Sequence, residues 1–208
     1  LLDISATRED LFHARHLPGE FYTSPDIFKR EIEEIFMKDW LCVGRVEQYA
    51  RPGDYRAMRI AGEPVVVCKD KGGTLRAFAN VCRHRGVEVI RGEGNTTKFI
   101  CPYHAWTYGL NGSLVSAPYQ EEVPDFDWKG CALPAIHLDT WGGYVFVNFD
   151  PDCASLDDYL AADRVQEVAG FLRAEDTRLA DEYTFDIGCN WKFVPENLMD
   201  IYPVRGIH

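Results

Sequence analysis

The first regular pattern of apolar positions is a helical stripe near the N-terminus. The stripe contains Phe28, Ile32, Ile35 and Phe36, and it continues to about Lys38. Ser24 precedes the stripe and can cap a helix, while Pro25 suits the first helical position. The pattern therefore predicts an N-terminal helix, which is followed by a strand at Trp40–Val43.

From about residue 53 to residue 150 the pattern changes to short strands. We predict strands at Tyr55–Ile60, Pro64–Cys68, Leu75–Asn80, Lys98–Ile100, Trp106–Tyr108 and Tyr144–Asn148. Turns are predicted at Lys71–Gly73 and at Asn111–Gly112. Short strands joined by tight turns are typical of an antiparallel β domain.

Beyond Pro151 the helical spacing returns. Leu156–Leu172 carries apolar residues at helical intervals, and Tyr183–Ile187 alternates apolar with polar residues as a half-buried strand would. A further helix is predicted from Val194 to about Tyr202. The fold class is therefore α+β, and a second domain begins in this part of the chain.

Composition narrows the class of protein. Of the 208 residues, 46% are hydrophobic, which predicts a packed core. No apolar run reaches 18 residues and the first ten residues show no secretory signal, so we expect neither a membrane span nor export. The net charge of −11 argues against nucleic acid and anionic membranes as partners.

Two short runs carry the chemistry: Cys82-Arg83-His84 and Cys101-Pro102-Tyr103-His104. Together they read C-x-H-x16-C-x2-H. Two thiolates and two imidazoles in this order suit a Rieske [2Fe–2S] cluster, in which two Cys hold one iron and two His hold the other. We therefore assign Cys82 and Cys101 to the inner iron, and His84 and His104 to the outer iron.

Zinc is the competing interpretation of the same four residues. Structural zinc sites also use Cys and His, but two to four residues usually separate the first pair. A single residue separates Cys82 from His84, which fits that spacing poorly. Tyr103, Trp106 and Arg85 flank the ligands, where they either tune the potential or cap an apolar lobe.

The remaining thiols show no paired spacing. They are Cys42, Cys68, Cys131, Cys153 and Cys189. Most of them stand beside apolar residues, so we expect reduced, buried thiols in a cytoplasmic protein. A structural disulfide among them is left open.

With these residues in place, the chain resembles the α-subunit of Rieske non-haem iron oxygenases, the ring-hydroxylating dioxygenase and related monooxygenase group. The resemblance spans nearly the whole chain. It is carried by FYTSPDIFKREIEEIFMKDWLCVGR (21–45), CRHRG (82–86), CPYHAWTY (101–108) and NWKFVPENLMDIYPVRGIH (190–208). It implies three parts: residues 1–45 as a helix and entry strand that pack on the catalytic domain, 46–152 as the Rieske domain, and 153–208 as the start of a truncated catalytic domain.

The last of these stretches resembles the family's mononuclear Fe(II) motif with one departure. The matching residues are Asn190, Trp191, Lys192, Glu196, Asn197, Asp200 and Tyr202. His208 matches the second iron-binding His, while Pro203 stands where the first should be and has no donor atom. A third ligand, a carboxylate, would come later than His208. Asp200 resembles the carboxylate that links a Rieske His, here His104, to the iron site of a neighbouring subunit.

The resemblance also implies an activity and partners. Electrons from NAD(P)H would arrive through a reductase, with or without a ferredoxin, and would pass to Fe(II) that activates O₂ for hydroxylation of an aromatic or similar apolar substrate. A homotrimer or an α3β3 assembly is expected. Because of Pro203 and the end at His208, the alternative is a Rieske electron-transfer protein without a functional mononuclear iron.

Overall fold

The computed structural model describes residues 3–10, 12–120 and 122–199. Two units divide the chain, Ile35–Ala180 and a second one formed by Leu1–Glu34 with Asp181–His208. We call them the β unit and the helical unit. Within the described residues, every helix is too short or too polar to cross a bilayer.

Over its described residues, the β unit is built from ten antiparallel strands. They are β1 Leu41–Arg45, β2 Asp54–Ile60, β3 Glu63–Lys69, β4 Leu75–Ala79, β5 Glu93–Asn95, β6 Phe99–Ile100, β7 Thr107–Tyr108, β8 Leu114–Ser116, β9 Ala135–Trp141 and β10 Tyr144–Asn148. Seven of them form one sheet in the order β1-β10-β9-β4-β3-β2-β5, and β6-β7-β8 form a second. The predicted α+β fold with an antiparallel β domain is confirmed.

Strand β3 shows why the large sheet has a core on both faces. Its residues from Val65 to Cys68 are all fully buried, so the strand reads as a continuous apolar run rather than an alternation. Val65 and Val67 pack with Tyr49 and Val147 on one face. Val66 and Cys68 face the other core, which contains both candidate cysteine ligands.

The helices after β10 differ from the predicted single helix over Leu156–Leu172. The structure has α3 at Leu156–Leu160 and α4 at Ala162–Ala169, followed by a 3-10 turn at Gly170–Leu172. Ala161 between them has a φ of +44°, in the left-handed region. A left-handed residue cannot continue the i→i−4 ladder, so the apolar stripe is divided between two short helices.

The helical unit begins as the sequence predicts. Helix α1 covers Glu20–Thr23, and α2 covers Pro25–Glu31 with Pro25 in its first turn. The Ser24 hydroxyl caps α2 by accepting the Ile27 N–H at 3.4 Å. The helical path then continues as a π-helix over Ile32–Phe36, whose last two residues already belong to the β unit, and this extends the helix toward its predicted end.

The predicted strand at Tyr183–Ile187 is absent. The described residues between Thr177 and Gly188 have no regular secondary structure, and Tyr183 and Phe185 are 74% and 78% exposed. A strand needs a neighbour to satisfy its backbone groups, and the described part of the chain offers this segment none. The last predicted helix is present as α5, Phe193–Met199.

One buried carboxylate joins the two chain ends within the helical unit. Glu31 in α2 accepts from the Lys192 ammonium at 2.6 Å and from the Trp191 indole N–H at 2.9 Å. The side chains of Glu31 and Lys192 are each 11% exposed. Tyr22 stacks on Phe193 at 4.6 Å between ring centroids. The N-W-K run is therefore anchored to the N-terminal helix.

All seven cysteines are free thiols. Cys68 is buried, whereas Cys42 and Cys189 are exposed, which corrects the expectation that the thiols outside the motif are buried. Cys42 lies on the edge strand β1, at a position that faces away from the core, and Cys189 precedes α5 in the segment without regular structure.

We expect Glu31→Gln to lower the free energy of unfolding by about 3 kcal/mol, because it leaves the Lys192 charge buried without its counter-ion. Urea denaturation followed by circular dichroism measures this change. Glu33→Gln is the control, since Glu33 lies 3.8 Å from exposed Lys29 and its loss should cost at most about 0.5 kcal/mol. Equal effects of the two substitutions would contradict the prediction.

Candidate iron–sulfur site

The first candidate ligand loop follows β4 and is closed by its own backbone. The Cys82 carbonyl accepts the Gly86 N–H at 2.9 Å, and the Cys82 N–H donates to the Val87 carbonyl at 2.8 Å. Gly86 has a φ of +72°, which glycine adopts readily. Asn80 holds the end of the loop, because its side chain bonds both the N–H and the carbonyl of Ile90.

The second loop, between β6 and β7, repeats the same turn. The Cys101 carbonyl accepts the Ala105 N–H at 3.1 Å, and the Cys101 N–H donates to the Trp106 carbonyl at 2.8 Å. Ala105 has a φ of +59°, so an alanine takes the left-handed position here. The spacing of the ligands differs by one residue: His84 follows Cys82 by two residues, and His104 follows Cys101 by three.

The four predicted ligands come together at these two turns. Cys82 and Cys101 are buried in the same core, and burial, together with the Cys82 side chain, raises the pKa of the Cys101 thiol. His84 and His104 are exposed, and their ring centroids lie 4.7 Å apart at 70°. Two thiols inside and two imidazoles outside is the arrangement that a cluster with an inner and an outer iron requires.

Polar groups surround both sulfurs. Against the larger effect of burial, which raises the pKa of the Cys101 thiol, the backbone N–H groups of Tyr103 and His104 lower this pKa. The Tyr108 hydroxyl lies 3.3 Å from the Cys82 sulfur and accepts the Arg83 N–H at 3.0 Å. Having accepted from Arg83, this hydroxyl can give its own proton to the sulfur.

Sequence reasoning missed Tyr108 as a site residue. The signal lay in the C-P-Y-H-A-W-T-Y run, where Tyr108 stands two residues after Trp106. Residues two apart along an extended chain point to the same side. Both side chains therefore reach back to the first ligand loop, where Trp106 stacks on His84.

The protonation preferences of the site suit metal ligation. Burial raises the pKa of the Cys101 thiol, and burial together with the Cys82 contact raises the pKa of Tyr108. Desolvation, with His104 and Arg85 nearby, lowers the pKa of His84, which favours the neutral imidazole. A buried neutral thiol is a poor nucleophile, whereas a metal ion deprotonates it on binding.

The donor set fits two irons better than one zinc ion. The two cysteines share the buried core, and the two histidines form a separate, exposed pair. A zinc site needs four ligands around one point, but each iron of a Rieske cluster takes only two from the protein. The Cys pair and the His pair therefore fit a [2Fe–2S] cluster.

The predicted mononuclear iron residues lie outside the described residues. These are Asp200, Tyr202, Pro203 and His208. Of the same motif, Asn190 donates to the Tyr22 carbonyl at 3.2 Å and Glu196 accepts the Tyr22 hydroxyl at 2.7 Å. The described half of the motif is thus engaged in structural contacts.

Comparison with known proteins places this geometry in a family. The model of the Rieske [2Fe-2S] domain matches residues 39–127, which include both ligand loops. A carnitine monooxygenase oxygenase subunit of Acinetobacter baumannii is 37% identical over 194 residues, which is 92% of this chain and 52% of that protein. The chain belongs to the Rieske oxygenase α-subunit family. It matches the N-terminal part of these subunits and spans about half the length of the curated relatives.

Other members of the Rieske oxygenase family agree with this assignment. A glycine betaine monooxygenase oxygenase subunit of Pseudomonas aeruginosa is 36% identical over 197 residues, 94% of this chain and 45% of that protein. A crystal structure of a quaternary ammonium Rieske monooxygenase with its substrate L-carnitine has a TM-score of 0.84 at 36% identity, and covers 92% of this chain and 55% of that one.

The monooxygenase relatives do not support the expected aromatic substrate, although a more distant relative acts on benzene. A benzene 1,2-dioxygenase α-subunit of Pseudomonas putida is 32% identical over 195 residues, 91% of this chain and 43% of that protein. The monooxygenase subunits named above have higher identities, and their names give carnitine and glycine betaine. The expectations of ring hydroxylation and aromatic hydrocarbon catabolism are therefore not supported by these more similar relatives.

The left-handed residues of the two turns predict opposite changes in stability for two substitutions. We expect Gly86→Ala to destabilise the fold by about 1 kcal/mol, through left-handed strain alone, because a Cβ there would meet nothing within 4 Å. Ala105→Gly should stabilise it by about 0.5–1 kcal/mol, because it removes the same strain. Thermal and urea unfolding measure both. Shifts of the same sign would refute the equivalence of the turns.

Proposed function

We propose that this chain is the electron-relay part of a Rieske monooxygenase. In this proposal Cys82 and Cys101 bind the inner iron of the cluster, and His84 and His104 bind the outer iron. The observation that carries it is the pair of matching turns, which bring two buried thiols and two exposed imidazoles together. When bound, such a cluster takes up and gives away one electron, at potentials of roughly −150 to +300 mV.

The protein residues divide the work around this cluster. Cys82 and Cys101 lose their protons on binding, and the N–H groups at Tyr103 and His104 with the Tyr108 hydroxyl stabilise the resulting negative charge. Histidine binds metal ions as the neutral imidazole, so such a cluster would carry less negative charge than one held by four thiolates. Because His84 and His104 are exposed, a redox partner approaches on their side.

We further propose a quaternary ammonium compound as the substrate of the whole protein. The support is the likeness to oxygenase subunits named for carnitine and glycine betaine. The mononuclear Fe(II), the role of His208 as its ligand, the bridge from Asp200 to His104 and a trimeric assembly remain predictions. So do the three-part domain division, the reductase or ferredoxin fed by NAD(P)H, and the cytoplasmic location.

A second candidate function rests on Pro203. Proline has no side-chain donor atom, so one expected iron ligand is missing at this position. A chain with a complete Rieske domain and no mononuclear iron would only transfer electrons. The two candidates share the Rieske cluster and differ in a third iron.

Iron and acid-labile sulfide per chain test the proposal. We expect two irons and two sulfides in the anaerobically purified red-brown protein, and a third iron only if the mononuclear site forms despite Pro203. Cys82→Ser and Cys101→Ser should each abolish the sulfide, whereas Cys42→Ser, at an exposed thiol, should leave it unchanged. A colourless, zinc-containing protein without sulfide would refute the proposal.

Tyr108→Phe should lower the reduction potential. The reduced cluster carries one more negative charge, so a hydroxyl that donates to the Cys82 sulfur stabilises it more than the oxidised form. Hydrogen bonds to charged groups are worth about 1.5–3 kcal/mol. Since a one-electron couple shifts by about 59 mV per tenfold change in its equilibrium constant, partial loss should lower the potential by roughly 50 mV.

Redox titration followed by absorbance measures this shift. Tyr103→Phe is the matched control, because it removes an exposed hydroxyl and keeps the ring that lies 3.7 Å from the His104 ring. The control should leave the potential unchanged. Equal potentials for Tyr108→Phe and the unaltered protein would show that the hydroxyl does not donate to the sulfur.

A further inference from the structure

Within the part of the chain that the structure describes, the His84 imidazole has ring contacts and no hydrogen bond that would orient it. Its centroid lies 4.9 Å from the Trp106 ring at an angle of 10°, and 4.7 Å from the His104 ring at 70°. Within the described residues, no side chain or carbonyl group hydrogen-bonds to this imidazole. Metal-binding histidines almost always have such a bond, which fixes the plane of the ring. Among the described residues, the ring contacts are the interactions that can fix the plane of His84.

Trp106 is rigid enough for that task. It is 6% exposed, and Phe126 meets its ring edge-on at 5.9 Å between centroids. The Trp106 carbonyl accepts the Cys101 N–H, so its backbone belongs to the second ligand loop while its ring contacts the first. An indole held in this way offers a fixed flat surface, and offset stacking favours a parallel imidazole.

The other outer ligand is held differently. His104 contacts the ring of Tyr103, which is 57% exposed and tilted by 32°. That contact comes from an adjacent residue in an exposed loop, so it constrains the His104 ring less than a buried indole constrains His84. The two imidazoles are therefore unequal, and the chain itself fixes only the orientation of His84 with a buried group.

We propose that Trp106 is a positioning residue for His84, whose stacked indole fixes the imidazole plane and therefore the direction from which its nitrogen binds iron. This inference rests on the proposed function, because it presupposes the cluster. The competing explanation is that Trp106 only fills the core beside Phe126 and Trp128. The two explanations differ in whether a flat ring is needed or only volume.

Substitutions in the cluster-containing protein distinguish the positioning role of Trp106 from the core-filling role. Trp106→Met keeps much of the volume without a flat face, and Trp106→Phe keeps the flat face. Trp128→Met is the matched control, because Trp128 contacts Phe126 at 5.1 Å and belongs to the same aromatic group. The readouts are the electron paramagnetic resonance spectrum of the reduced cluster and the rate of cluster loss to an iron chelator.

We expect Trp106→Met to broaden the spectrum and to accelerate cluster loss roughly 10-fold, the usual effect of removing a group that orients a ligand. Trp106→Phe should restore both readouts, and Trp128→Met should leave both unchanged. Indistinguishable results for Trp106→Met and Trp128→Met would overturn the proposal, as would a Trp106→Phe protein that behaves like Trp106→Met.

Two further outcomes are separable. If circular dichroism shows that Trp106→Met does not fold, Trp106→Leu takes its place, and failure of both to fold would overturn the proposal in favour of a core role. If the unaltered protein binds no iron and sulfide, the proposed function fails, which is visible before any variant is compared.

Discussion

The backbone turn that follows each candidate cysteine is the constraint on which the site depends. In both loops the cysteine carbonyl accepts an N–H from four residues later, and the residue that donates it is left-handed. This turn buries the thiol at its start and exposes the residues at its tip. A histidine two or three residues after the cysteine therefore lies at the surface while the sulfur stays inside. Glycine meets this requirement at position 86, and Ala105 meets it at the cost of strain.

The sequence predicted those parts of the fold that depend on local periodicity. Strands β2, β3, β4 and β10 and the start of α2 lie where the pattern placed them, because turn residues and a capping serine mark their ends. The strand predicted at Tyr183–Ile187 is absent for a physical reason. Alternation describes the two faces of a strand, but a strand also needs an edge to pair with, and that neighbour is not encoded locally.

The sequence identified four candidate ligands, whose binding of a cluster stays a prediction, but it did not identify the groups around them. Cys and His at a fixed spacing are a chemical signature that survives without knowledge of the fold. Outside this site, the role of Glu31 had no sequence signal, because a glutamate on a helix is usually exposed and its partners Trp191 and Lys192 are 160 and 161 residues away. Likewise, the αL conformation at Ala105 has no sequence signal, since alanine seldom adopts it.

The exit from the second loop shows how one short segment can hold the ligands of another. Trp106 and Tyr108 are two residues apart, so both point toward the first loop, and β6–β7 pairing keeps them in register. The indole meets the exposed ligand His84, and the hydroxyl meets the buried ligand Cys82. Trp106, just before β7, therefore gives a flat apolar surface to the exposed ligand, whereas Tyr108, within β7, places a proton donor beside the buried ligand. The two loops are consequently interdependent, because displacing the second would release both ligands of the first.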